Sequence, residues 1–205
     1  MKTKFNLIYM TKSILAFIFL LAIGCSAPKK EEPAQESMHM QMEDEPLDTP
    51  AEPQFAVDST FQKQIASVFS GYTDLQEAFV SSNLENVKSA VAKLNNVLAG
   101  AQGSPVDGAA KMDWSTYKEG MTSDLSKINA AADIKEARSY FPGLTQNMYK
   151  SIKAFGLGGK SAWYAYCPMA FNNKGGYWLT GEKKIRNPYF GEEMLICGGI
   201  REELK

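Results

Sequence analysis

The chain has 205 residues, with 22 Lys or Arg, 23 Asp or Glu, one His and a formal net charge of −1. So even a balance, with no basic stripe, excludes the electrostatic footprint of a nucleic-acid binder. The one histidine, His39, lies in a polar segment near the N-terminus, so neither a Ser/His/Asp nor a Cys/His catalytic arrangement can be assembled in the folded part.

In chain order, Lys2, Lys4 and Lys12 form a positive leader, and an unbroken apolar run follows from Ile14 to Ile23. A basic start, a short apolar stretch and a small residue before the cut describe a secretory signal. The run is too short for a comfortable transmembrane helix, which needs about 20 apolar residues. Leu21-Ala22-Ile23-Gly24-Cys25 resembles the lipobox read by the lipoprotein signal peptidase, with Ala22 where Leu is more usual. That resemblance implies loss of residues 1–24, acylation of Cys25 and a lipid anchor in the bacterial cell envelope, with the outer membrane as the expected site. The alternative is an ordinary secretory signal or a membrane anchor. Removing the three leader lysines takes the formal charge from −1 to about −4. Of the three cysteines, Cys167 and Cys197 then remain, in a compartment that permits disulfides.

Residues 25–57 are the acylated cysteine and a tether rich in Pro, Glu, Gln and Ser. Such a composition buries too little apolar surface to offset the entropy of ordering. As a flexible chain it has an r.m.s. reach of about 30 Å. Lys29-Lys30-Glu31-Glu32 reads either as a sorting signal or as a solvated charge run. Met38-His39-Met40-Gln41-Met42 is harder to dismiss. Methionine usually fills cores, and a disordered segment has none. Three thioethers and an imidazole in one flexible string can wrap a soft ion.

Residues 58–205 form the expected domain. Phe61, Ile65, Val68, Tyr72, Leu75 and Phe79 step by three and four, the stripe of an amphipathic helix. Asp58 or Ser59 can cap it. Ser82-Asn83-Leu84-Glu85 reads as a capping box for a second stripe of Leu84, Val87, Val91, Leu94 and Leu98. After a Gly- and Pro-containing loop over 100–108, Asp113 is the expected cap of a third helix with Trp114, Tyr117, Met121, Leu125 and Ile128. Asp133 opens a fourth through Ile134, Ala137, Phe141, Leu144, Met148, Ile152 and Phe155, which Pro142 should kink or restart. Glycines at 156, 158 and 159 end it. Short connections predict an all-α fold, an antiparallel four-helix bundle. The rest reads as an irregular, loop-rich C-terminal cap packed on the bundle, in which residues 163–166 and 177–180 have the composition of short strands.

The cap holds Cys167-Pro168-Met169 near its start and Met194 with Cys197 near its end. Thiolate and thioether are soft donors that select Cu(I) over hard cations. Pro168 fixes the backbone between two of them, and the spacing of three between Met194 and Cys197 puts both on one face of a turn. The competing reading is a disulfide between the two cysteines, with the methionines as filler. No CxxC supports a thiol oxidoreductase, and no phosphate-binding glycine loop is present.

Tyr166-Cys167-Pro168-Met169-Ala170, Gly176-Tyr177-Trp178-Leu179, Ile185 to Gly191 and Met194-Leu195-Ile196-Cys197-Gly198 together resemble the signature of domain of unknown function 3347. Asp133, Ile134, Arg138, Phe141, Leu144 and Met148 resemble that family's helix before the cap, Pro142 being a departure from it. The resemblance spans roughly residues 58 to 200. It implies a helical domain found in small lipoproteins and fused to heavy-metal efflux adaptors, tied to copper handling. It further implies Cys167, Met169, Met194 and Cys197 as metal ligands, with residues 187–190 as the turn that brings the second pair to the first. The expected protein is therefore no enzyme. It is an envelope lipoprotein that binds Cu(I), with Ag(I) as a related ion and no organic cofactor, for sequestration or delivery to an efflux adaptor or another copper-handling partner. Met38, His39, Met40 and Met42 form a weaker collecting site. The alternative is a disulfide-stapled protein-interaction module without metal.

Overall fold

A computed structural model describes residues 52–101 and 108–205. Its elements run α1 Ser59–Val80, α2 Leu84–Gly100, α3 Gly108–Ala130, α4 Ile134–Phe155, β1 Ala162–Cys167, β2 Gly176–Thr180 and β3 Gly199–Leu204. Short turns over Ala170–Asn173 and Gly191–Met194 separate the strands. The protein is mostly helical. α1 packs on α2, α2 on α3, α3 on α4, and α4 back on α1. Among the described residues, no helix is long and apolar enough to cross a membrane.

The periodic stripes are the core. Phe61, Ile65, Val68, Tyr72, Leu75 and Phe79 are all buried, and so are Val87, Val91, Leu94 and Leu98. Each such side chain contributes roughly 1.5–3 kcal/mol by leaving water. Asp58 caps α1 by accepting from the N–H groups of Thr60 and Phe61. Asp133 accepts from Glu136 N–H at 2.7 Å, and the Glu136 carboxylate accepts from Ala132 N–H at 2.8 Å. Two otherwise orphaned donors are satisfied this way.

Two caps differ from expectation. α2 is capped by Asn83, not Ser82, whose hydroxyl instead accepts from Arg138. α3 begins at Gly108, so Asp113 lies inside it. Residues 109–112 are Ala, Ala, Lys and Met, good helix formers that let the helix extend backward from the Trp114 stripe. α4 does not restart at Pro142. An interior proline costs about 3 kcal/mol, which the burial of Phe141, Leu144, Met148 and Ile152 outweighs.

The cap is more regular than a loop. It is a three-stranded antiparallel sheet in the order β2-β1-β3. The two expected strands are β1 and β2, and β3 completes the other edge, with a bulge between Tyr164 and Ala165. The sheet is bolted to the bundle through Tyr72, whose buried hydroxyl lies 2.7 Å from Thr145 Oγ1 on α4 and accepts from Leu179 N–H of β2 at 3.2 Å. At the other end, Gly156 terminates α4 with φ 74, and both Pro53 and the Lys205 carbonyl lie against it. Packing starts before α1: Gln54 and Phe55 N–H donate to the Lys153 and Ala154 carbonyls, and Phe55 stacks on Phe155.

Tyr72→Phe removes the hydroxyl that links α1, α4 and β2 and leaves the Leu179 N–H unpaired. Urea unfolding should show a loss of about 1–3 kcal/mol; an unchanged midpoint would mean that the hydroxyl does not bolt sheet to bundle.

Candidate metal centre

β1 ends on Cys167, which is fully buried and faces Gly176 across the β1–β2 pairing. Pro168 and Met169 leave the strand at once, and both are exposed. The second pair arrives from the turn over 191–194. Cys197 N–H donates to the Met194 carbonyl at 3.0 Å, so the spacing of three is one turn of chain. The two thiols meet there, Sγ to Sγ 2.7 Å, as free cysteines.

Asn187 holds this arrangement. It is fully buried. Its side-chain N–H donates to the Cys197 carbonyl at 2.8 Å, and its side-chain oxygen accepts from Tyr189 N–H at 2.8 Å. Its backbone N–H donates to the Leu195 carbonyl, and its carbonyl accepts from Gly191 N–H. Tyr189 in turn donates its hydroxyl to the Tyr177 carbonyl of β2. Gly198 follows with φ 130. A Cβ there would stand 2.7 Å from the Trp178 ring and 2.8 Å from the Tyr166 carbonyl, so only glycine lets the chain pass from Cys197 into β3. The expected turn over 187–190 is thus a hydrogen-bonded clamp.

The Cys197 thiol is held in its neutral form. Burial first, then the hydrogen bond and charge of Cys167, push the Cys197 thiol up to about 11, against a hydrogen bond from Met169 N–H that lowers it. A soft cation would replace the proton and release it. With metal–sulfur bonds of about 2.3 Å at a tetrahedral angle, two thiolates on one ion stand roughly 3.8 Å apart, while a disulfide closes to about 2.0 Å. The observed 2.7 Å lies between these, nearer the disulfide.

Met169 and Met194 line one cavity of about 630 Å³, and neither cysteine belongs to its wall. The structure therefore brings thiol to thiol and places both thioethers on a common cavity, with Met169 N–H at the Cys197 sulfur as the link. Among the described residues, no three His, Cys, Asp or Glu side chains cluster to hold a metal. Cys25 and Met38, His39, Met40 and Met42 lie outside the described residues. Arg138, which fastens the clamp by donating to the Pro188 carbonyl at 2.8 Å, gives no local sign of that role. An arginine on a helix with polar neighbours reads as solvated surface.

Asn187→Ala should cost about 2–3 kcal/mol in urea and slow closure of the Cys167–Cys197 disulfide by oxidised glutathione. If stability falls but the closure rate does not, the thiols are aligned by the strands and not by Asn187.

Residues 68–160 match the sequence profile of a family described as a protein of unknown function, DUF3347. The match starts within α1 and ends at Lys160, before β1, so the signature from Tyr166 to Gly198 lies beyond it. No curated protein and no solved structure matches the chain. The matched segment carries α2, α3, α4 and most of α1, and over it the chain is similar to the DUF3347 family.

Proposed function

We propose that this is a lipid-anchored envelope protein that binds a soft metal ion, Cu(I) first and Ag(I) by the same chemistry, for sequestration or for delivery to efflux machinery. The observation that carries the reading is the approach of Cys167 to Cys197, 2.7 Å between sulfurs drawn from positions 30 residues apart, with Met169 and Met194 on the adjoining turns. Two thiols and two thioethers make a donor set that favours Cu(I) over hard cations. A Cys197 thiol held neutral also suits a carrier. The ion is taken up by exchange for protons and is given back as protons return. The Met38–Met42 string of the tether supplies weaker soft donors. The short helix connections favour an up-and-down antiparallel bundle beneath the cap.

A second reading rests on the same proximity. Oxidation closes a Cys167–Cys197 disulfide that staples the cap, and the protein is then an interaction module. Ile196, 81% exposed beside Cys197, would be its most prominent apolar contact.

The deciding experiment is an anaerobic Cu(I) titration of the reduced protein against a chromophoric chelator, with and without residues 26–57. One ion per domain is expected without the tether, and at least tenfold weaker binding in Cys167→Ser and Cys197→Ser. Because a thiol at about 11 must lose its proton, apparent affinity should rise with pH between 6 and 8, by up to about tenfold per unit for that proton alone. No binding by the domain, or affinity indifferent to both serines, rejects the cap as the copper site and leaves the stapled module.

A further inference from the structure

The cavity that Met169 and Met194 share has a second character, which the copper reading does not use. From the second turn of α4, Arg138 stands in its wall with a fixed geometry. Its Nε–H donates to the Pro188 carbonyl at 2.8 Å, and its Nη2 donates to the Phe79 carbonyl at 3.0 Å and to the Ser82 hydroxyl at 2.7 Å. Its Nη1 makes no hydrogen bond among the described residues, and none of their ion pairs includes it. Glu193 acts on it only by longer-range attraction, which opposes the lowering of its pKa by burial. A half-buried guanidinium with two unused N–H groups and no paired carboxylate is a preorganised anion receptor.

The surroundings agree. Lys135, three residues before Arg138 on the same helix face, and Lys174 also line the cavity, and no Asp or Glu does. In a chain whose acids outnumber its bases, 23 to 22, three cations around one space run against the average. Asn172 and Asn173 add amide donors to the rim. They follow Phe171 in a left-handed turn, φ 53, 58 and 65 for the three residues. Left-handed backbone is unfavourable for non-glycine residues, and such strain tends to be kept where a ligand is held. Phe171 and Phe190 make much of the remaining wall apolar. A volume of about 630 Å³ is that of a small-molecule site.

We infer that this cavity binds a small organic anion, its oxyanion head paired with Arg138, Lys135 and Lys174 and its apolar body against Phe171 and Phe190. The inference needs no copper, since neither thiol lines the cavity; it shares with the copper reading only Met169 and Met194, which the anion's head group does not use.

Isothermal titration calorimetry of the full-length chain in nonionic detergent tests it, with phenylphosphate, phenylacetate and neutral benzyl alcohol as probes. Saturable binding of phenylphosphate or phenylacetate, and not of the alcohol, is expected; the tighter of the two anions identifies the head group. The double variant Lys135→Glu/Lys174→Glu leaves the hydrogen bonds of Arg138 in place and should bind about tenfold more weakly. Arg138→Gln should abolish binding, but because Arg138 also ties α4 to α1 and the cap, the lysine variant is the deciding one. No saturable heat at millimolar anion, equal binding of the alcohol, or an affinity that ignores the lysine reversal overturns the site.

Discussion

A buried amide with every polar group engaged is costly to disturb, and Asn187 is such a group. It bonds the Cys197 carbonyl, the Tyr189 N–H, the Leu195 carbonyl and the Gly191 N–H at once. These four bonds convert the stretch between β2 and β3 from a long loop into a fixed object. The thiol contact, the direction in which β3 departs and the seat of Tyr189 against β2 all follow from it. Arg138 fastens the same object to α1 and α4 from outside, and Tyr72 fastens the sheet from inside. The apolar stripes supply most of the stability, but these few polar groups decide where the cap sits.

The helical part was legible because its signal is redundant. Six apolar residues at helical spacing in α1 all became core, and Asp58 and Asp133 capped where short polar side chains before such stripes should. The errors came from single residues whose roles depend on distant partners. Ser82 looked like a cap, but its hydroxyl serves Arg138, 56 residues away. Asp113 looked like a start, but the preceding alanines carry the helix past it. Pro142 reads as a kink or a restart, and the helix does not restart there because the apolar side chains buried on both sides of it hold it together.

The cap was half legible. Aromatic runs betrayed β1 and β2, while β3 hides because Gly-Ile-Arg-Glu-Glu-Leu lacks strand propensity. Its polar side chains are satisfied by neighbours no local pattern names: Glu202 by Tyr149 and Lys153, Glu203 by Ser161. For the site, the motif spacing indicated which four sulfur residues to watch. That the thiols touch while the thioethers line a separate wall is a matter of register and of Gly198, which only the folded chain reveals.

Gly156 has a consequence for how such a domain can be used. Pro53, ahead of α1, and the Lys205 carbonyl, just after β3, both rest against it. The stretch leading into α1 and the stretch leaving β3 therefore meet at one point, at the close of α4. A unit whose entrance and exit coincide is portable: it can be spliced into a surface loop of a larger host, or hung from its end, without the cut crossing its core. Circular permutation that joins Lys205 to Pro53 through a short linker should likewise leave the cap and its thiols where they are.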